Sequence, residues 1–242
     1  MHEVIVLGAT FAAAGIAARL KGSCLVLERR LQAGCEFFGA LNFGSGYGKA
    51  VSGKEAQQLH RKFLQAGNGY YGCDAYIYPY FHPDHTLFAT EIVSIEKNCD
   101  VFQCVTHGVD GFRTFSARQV VDTRTHGKAV LSKTYNLLIR SDNPPCFAGI
   151  STEKAGMTDN YVLHCPVSPG CSFSEARAEA QKLLHRFSED QRVILFANEF
   201  DYQIRPEALA VEDGIRYLPS KLFENPVLAF DAGLALGEEI AK

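Results

Sequence analysis

The chain has 242 residues, 47% hydrophobic and 21% charged, with a formal net charge of -3. That composition describes an ordinary globular protein with a sizeable core, and the small negative charge gives no electrostatic reason to expect nucleic acid or an anionic membrane as a partner. No apolar run approaches bilayer-spanning length and the start lacks a signal-peptide core, so the expected location is cytoplasmic.

The chain opens on an apolar run, Val4-Ile5-Val6-Leu7, followed by Gly8-Ala9-Thr10-Phe11-Ala12-Ala13-Ala14-Gly15 and a small-residue helical segment. A second apolar run, Cys24-Leu25-Val26-Leu27, ends on Glu28 with Arg29 behind it. Strand, glycine turn, helix, strand and acid is the order that cradles a dinucleotide. The turn lets a helix N-terminus approach a pyrophosphate, and the acid about 20 residues on can bind a ribose hydroxyl. The three fingerprint positions are Gly8, Thr10 and Ala13. Thr10 puts a branched side chain where backbone and phosphate come closest, or else offers that phosphate a hydroxyl. Ala13 is small enough for the helix–strand packing its position requires. The alternative is a βαβ unit that only builds a parallel sheet.

Glycines at 34, 39, 44, 46, 48 and 53, mixed with Phe37, Phe38, Phe43 and Tyr47, follow the second strand. Such a stretch either lies along a ligand or covers the sheet. Residues 52–66 read as a helix capped by Ser52 and stopped at Gly67. Tyr70, Tyr71, Tyr76, Tyr78 and Tyr80 mark a strand or an extended lid over 70–81. Strand signals at 87–96, 101–107 and 112–116 describe an antiparallel meander, and a further short strand over 117–123 contains Asp122. In the second half, 135–140, 146–151, 161–167 and 192–200 are strand-like, 174–187 is a helix, 202–219 is a loop with short strand pieces, 226–230 is a last strand ending at Asp231, and 232–241 is a closing helix.

The eight cysteines need not pair in a chain of this kind, and no C-x-x-C spacing suggests a dithiol or metal site. His82 and His85, beside Pro83, read as a solvated loop, so no metal ligand is assigned.

Four segments together resemble the FAD-dependent oxidoreductases of the glutathione-reductase-like, two-dinucleotide-binding-domain superfamily. These are 4–28; Thr90-Glu91-Ile92-Val93-Ser94-Ile95, similar to the strand that reads the adenine edge; 115–123, similar to the strand before the second nucleotide-side turn; and 225–237, similar to the C-terminal segment whose aspartate holds the ribityl chain. The resemblance implies an α/β fold: a Rossmann-like FAD-binding domain with a parallel sheet and an antiparallel meander (1–133 and 206–242), plus a small antiparallel β-sheet and helix substrate domain (134–205). It implies FAD as cofactor, contacted by Gly8, Ala9, Thr10, Phe11, Ala12, Ala13, Glu28, Arg29, Ile92, Asp122, Thr123, Asp231, Ala232 and Gly233, with a small-molecule substrate. The chain departs from the family pattern at Thr10, Ala13, Thr123-Arg124-Thr125 and Phe230.

Three functions stay open at this point: an FAD-dependent oxidoreductase, a degenerate nucleotide-binding module without turnover, and an NAD(P)-dependent Rossmann enzyme. Arg140, Arg205, Tyr202, His126 and Cys35 are candidates for acting on substrate, with no catalytic residue assigned among them. Self-association is left open.

Overall fold

A computed structural model describes residues 1–66, 73–125, 129–155, 159–205 and 214–242. The expectations for Gly67, Tyr70, Tyr71 and His126 lie outside these residues. The chain begins with β1 (His2–Leu7), α1 (Phe11–Leu20), β2 (Cys24–Leu27), α2 (Lys54–Gln65) and β3 (Thr86–Leu87). A meander follows, β4 (Glu91–Asn98), β5 (Val101–Gly108) and β6 (Gly111–Asp122). Next come β7 (Val130–Arg140), β8 (Ser151–Lys154), β9 (Asn160–Val167), α3 (Phe173–Leu183), β10 (Arg192–Phe196) and β11 (Asp201–Ile204). The chain closes with β12 (Arg216–Tyr217) and α4 (Pro226–Ile240).

One sheet runs β3-β2-β1-β6-β5-β4, with β12 beside β6; the other is antiparallel, β10-β7-β9-β8, with β11 beside β7. Val4, Ile5, Val6 and Leu7 of β1 are fully buried, as befits a central parallel strand covered on both faces. On one side Val4 and Val6 meet α1 and α4; on the other Ile5 and Leu7 join Leu25, Leu27, Phe102 and Val120. The parallel register matches Leu7 with Leu27 on one side and with Asp122 on the other. Gly8, Glu28 and Thr123, one residue further along each strand, therefore emerge on the same edge.

α1 and α4 meet backbone against backbone at Gly15 and Gly233. A Cβ on Gly15 would fall on the Phe230 carbonyl oxygen, and one on Gly233 on the Ala12 carbonyl oxygen. This close approach is why the first helix is a run of alanines.

The meander differs from expectation at its third strand. Segments 112–116 and 117–123 run together as one strand, β6, which ends at Asp122. Its first half pairs antiparallel with β5 and its second half parallel with β1. Residues 226–230 are not a strand: Asn225 accepts a hydrogen bond from Leu228 N at 2.9 Å, and Pro226 occupies the first helical turn. Asn-Pro is an N-cap and N1 pair, and that local signal outweighs the apolar run behind it. The 70–81 strand is also absent where described. Cys73–Tyr80 is a 3₁₀ segment, and Tyr76, Tyr78 and Tyr80 leave it toward three different rings, Phe63, Phe88 and Phe230. Residues 146–150 make only an isolated Phe147–Ile150 bridge. β10 stops at Phe196, short of residue 200. Ser52 lies outside the α2 cap, at Gly53.

Among the described residues no helix is long and apolar enough to cross a membrane. All eight cysteines are free thiols.

Candidate functional site

The edge defined by Gly8, Glu28 and Thr123 opens into a cleft of about 330 Å³. It sits where chain direction diverges from β1, toward β2 on one side and β6 on the other. That is the crevice at the carboxyl ends of strands where open α/β sheets take ligands. Its volume lies at the low end of the ~300–1,000 Å³ typical of small-molecule sites.

The turn after β1 is built as its sequence demands. Gly8 has φ +90°, and a Cβ there would come within 2.7 Å of Arg124 Cγ. Thr10 is the N-cap of α1. Its Oγ1 accepts from Ala13 N at 3.1 Å and donates to Thr123 Oγ1 at 2.8 Å, and Thr123 in turn donates to Leu7 O at 2.8 Å. The Thr10 hydroxyl is thus committed within the protein. Phe11 contributes only its N–H to the site; its ring is fully buried in a cluster with Phe37, Phe38 and Phe63. Ala12 and Ala13 are fully buried and likewise offer backbone alone.

Glu28 is 4% exposed. Its Oε2 accepts from Ala9 N at 2.7 Å and its Oε1 from Arg30 N at 2.8 Å, with Arg30 Nη1 at 3.6 Å. Two backbone donors and a guanidinium compensate the burial of its charge. The other α1 amides are occupied as well: Phe11 N donates to Glu36 Oε1 at 2.9 Å, and Ala12 N to Ser220 Oγ at 2.9 Å. Burial pushes the Glu36 carboxyl up to about 7, against hydrogen bonds from Phe11 N and Ser220 that favour its charged form.

Four cations (Arg29, Arg30, Arg124, Lys221) and four carboxylates (Glu28, Glu36, Glu91, Glu199) line the cleft. Most of the cations are already paired. Arg124 binds Asp122 through two side-chain bonds of 3.0 and 2.7 Å, Lys221 binds the nearly buried Asp201 at 2.7 Å, and Arg30 is held by Glu199. Arg29 has no ion-pair partner among the described residues. Phe200 and Tyr202, from the antiparallel-sheet side, complete the wall. Cys35 also lines it, but burial pushes its thiol up to about 12, which leaves it protonated at neutral pH.

The structure gathers Gly8, Ala9, Thr10, Phe11, Ala12, Ala13, Glu28, Arg29, Asp122 and Thr123 around one edge. It does not bring the other expected residues there. Ile92 packs into the core beside Ile5 and Leu7, while its neighbour Glu91 faces the cleft. Asp231 lies within α4, where its carboxylate accepts from Ser52 N and Gly53 N, both at 2.8 Å, and so ties α4 to the turn that enters α2. Gly233 serves the α1 crossing. Arg140 ends β7 and Arg205 directly follows β11, and neither lines the cleft. Glu36, Ser220, Arg124 and Lys221 were not foreseen. Ser220 follows the two-residue β12, whose pairing with β6 at Asp122 delivers it to Ala12.

No protein-family model matches the sequence, and a search of curated proteins found no match. Solved structures do match. BexE, described by its part in oxidation during BE-7585A biosynthesis, superposes with a TM-score of 0.62 at 13% identity over 99% of this chain. The p-nitrophenol 4-monooxygenase PnpA of Pseudomonas putida DLL-E4 superposes with a TM-score of 0.55 at 14% identity over 100% of it. Aklavinone-11 hydroxylase, solved as a ternary complex with FAD and aklavinone, superposes with a TM-score of 0.51 at 13% identity over 100% of it. The chain shares the fold of these proteins, and the matches do not single out the glutathione-reductase-like superfamily suggested by the sequence. The chain spans 62% of the length of BexE and of aklavinone-11 hydroxylase, and 78% of PnpA.

Proposed function

We propose that this chain binds FAD in the cleft at the ends of β1, β2 and β6 and acts as a flavin-dependent oxidoreductase on a small molecule. The observation that carries the proposal is buried Glu28, held at the end of β2 directly across the glycine turn from α1, in a fold shared with FAD-dependent hydroxylases. In this reading Glu28 accepts the adenosine ribose hydroxyls, Gly8 and Ala9 let the backbone approach, and Thr123 with the Asp122–Arg124 pair fixes the second turn. Arg29 supplies a cation at the rim. The small antiparallel sheet, whose first strand opens at Val130, is the cap domain proposed over 134–205, and it sets Phe200 and Tyr202 against the cleft. The ribityl role expected of Asp231 passes to the segment around Ser220 and Lys221, which adjoins the α1 N-terminus.

A bound flavin supplies the two-electron chemistry, and the protein supplies binding, orientation and charge around it. The adenosine side of the cleft fits that ligand. The phosphate side is filled by the chain's own groups, with Glu36, Ser220 and Thr10 on the amides a pyrophosphate would use. That filling is the one observation favouring a second reading, a nucleotide-binding module without turnover. The visible spectrum of the purified protein, before and after incubation with FAD, tests the primary reading. The expected result is a flavin spectrum that survives gel filtration and yields FAD on heating; a protein that stays colourless after reconstitution overturns it.

A further inference from the structure

The first three N–H groups of an α-helix have no intrahelical partners, and in a dinucleotide site they point at phosphate. In α1 all three are satisfied from within the chain. Two of the acceptors, the hydroxyls of Thr10 and Ser220, are neutral. The third is the Glu36 carboxylate, which brings a negative charge to the place where a negatively charged ligand group would sit. Its position is not incidental. The turn that carries it is anchored to the glycine turn itself by Gly34 N donating to Ala9 O at 2.9 Å, and is closed by Phe38 N donating to Gly34 O at 3.1 Å. Gly34 adopts φ +70° to make that turn, and the Ser220 hydroxyl bonds Glu36 as well as Ala12 N.

We infer that Glu36 is a built-in competitor for the nucleotide phosphate, a specificity-determining residue that must release the Phe11 amide before a phosphorylated ligand can seat on α1. The inference rests on the FAD reading above. A phosphate beside a retained Glu36 carboxylate is opposed by like charge. A ligand without phosphate leaves that contact undisturbed. Glu36 thereby weights the cleft against every phosphorylated ligand, FAD included, and not against the adenosine moiety.

The test is an equilibrium titration of the full chain at pH 8 with FAD, ADP and adenosine, for wild type, Glu36→Gln and Glu36→Ala, with a thermal melt establishing that each is folded. Glu36→Gln keeps an oxygen for Phe11 N and decides the outcome if Glu36→Ala does not fold. The expected result is FAD and ADP affinity raised about tenfold or more in the variants with adenosine affinity unchanged, a difference on the scale of one charge-assisted contact. FAD and ADP affinities equal to or weaker than wild type overturn the inference and leave the FAD reading standing. An equal gain for adenosine also overturns it, because the phosphate would not be what Glu36 opposes. Absence of FAD binding in every protein overturns the FAD reading and the inference with it.

Discussion

Glu36 holds a carboxyl group where burial works against its charge, and its pKa near 7 stands well above the 4.5 of an unperturbed glutamate. Between those two values the folded state binds more protons than the unfolded state. Glu36 therefore stabilises the fold most at acid pH, and that contribution is lost as pH rises toward 7. Thermal melts at pH 5 and pH 8 are expected to show a larger loss of Tm for wild type than for Glu36→Gln, which has no proton to lose; equal losses would place the Glu36 titration elsewhere. No sequence signal marks this residue. It is one acid in a glycine-dense loop, and it reaches the site only because that loop folds back on Ala9. Glu28, by contrast, was legible, because the end of a strand fixes its position through the sheet register.

The sequence assigns only Ala13 a packing role, against the strand; the structure adds a second partner for α1, the helix α4, which meets it at Gly15 and Gly233. Gly233→Ala drives a methyl into the Ala12 carbonyl and is expected to cost about 2 kcal/mol or more, the scale of overpacking in a dense core. Gly170→Ala, at an open position with nothing within 4 Å, is expected to be close to neutral. Urea melts of the two variants check the contrast. The apolar run over 226–230 fits a strand as well as a helix. The Asn225 cap and Pro226 decide between them. The reassignment changes the work of Asp231: it ties α4 to the turn that enters α2, through Ser52 N and Gly53 N. Asp231→Ala is expected to destabilise the fold by about 1 kcal/mol, the net scale of a lost hydrogen bond, in the same denaturation measurement.

At the scale of the whole molecule, two sheets meet over one crevice. The βαβ order and the antiparallel meander were both visible in the sequence, because alternation and turn residues report local structure directly. The single long β6 joining them was not, since pairing to β5 at one end and β1 at the other is a tertiary outcome. The cleft inherits this architecture: β1 and β2 deliver the glycine turn and Glu28, β6 and β12 deliver Thr123 and Ser220, and the small sheet closes the side. If this edge binds FAD with Glu28 on the ribose, equilibrium titration of the chain with FAD, followed by flavin fluorescence, gives saturable uptake by wild type and affinity weakened about tenfold in Glu28→Gln, the worth of one hydrogen bond to a charged group. No saturable uptake by wild type, or the same affinity in both proteins, overturns the assignment.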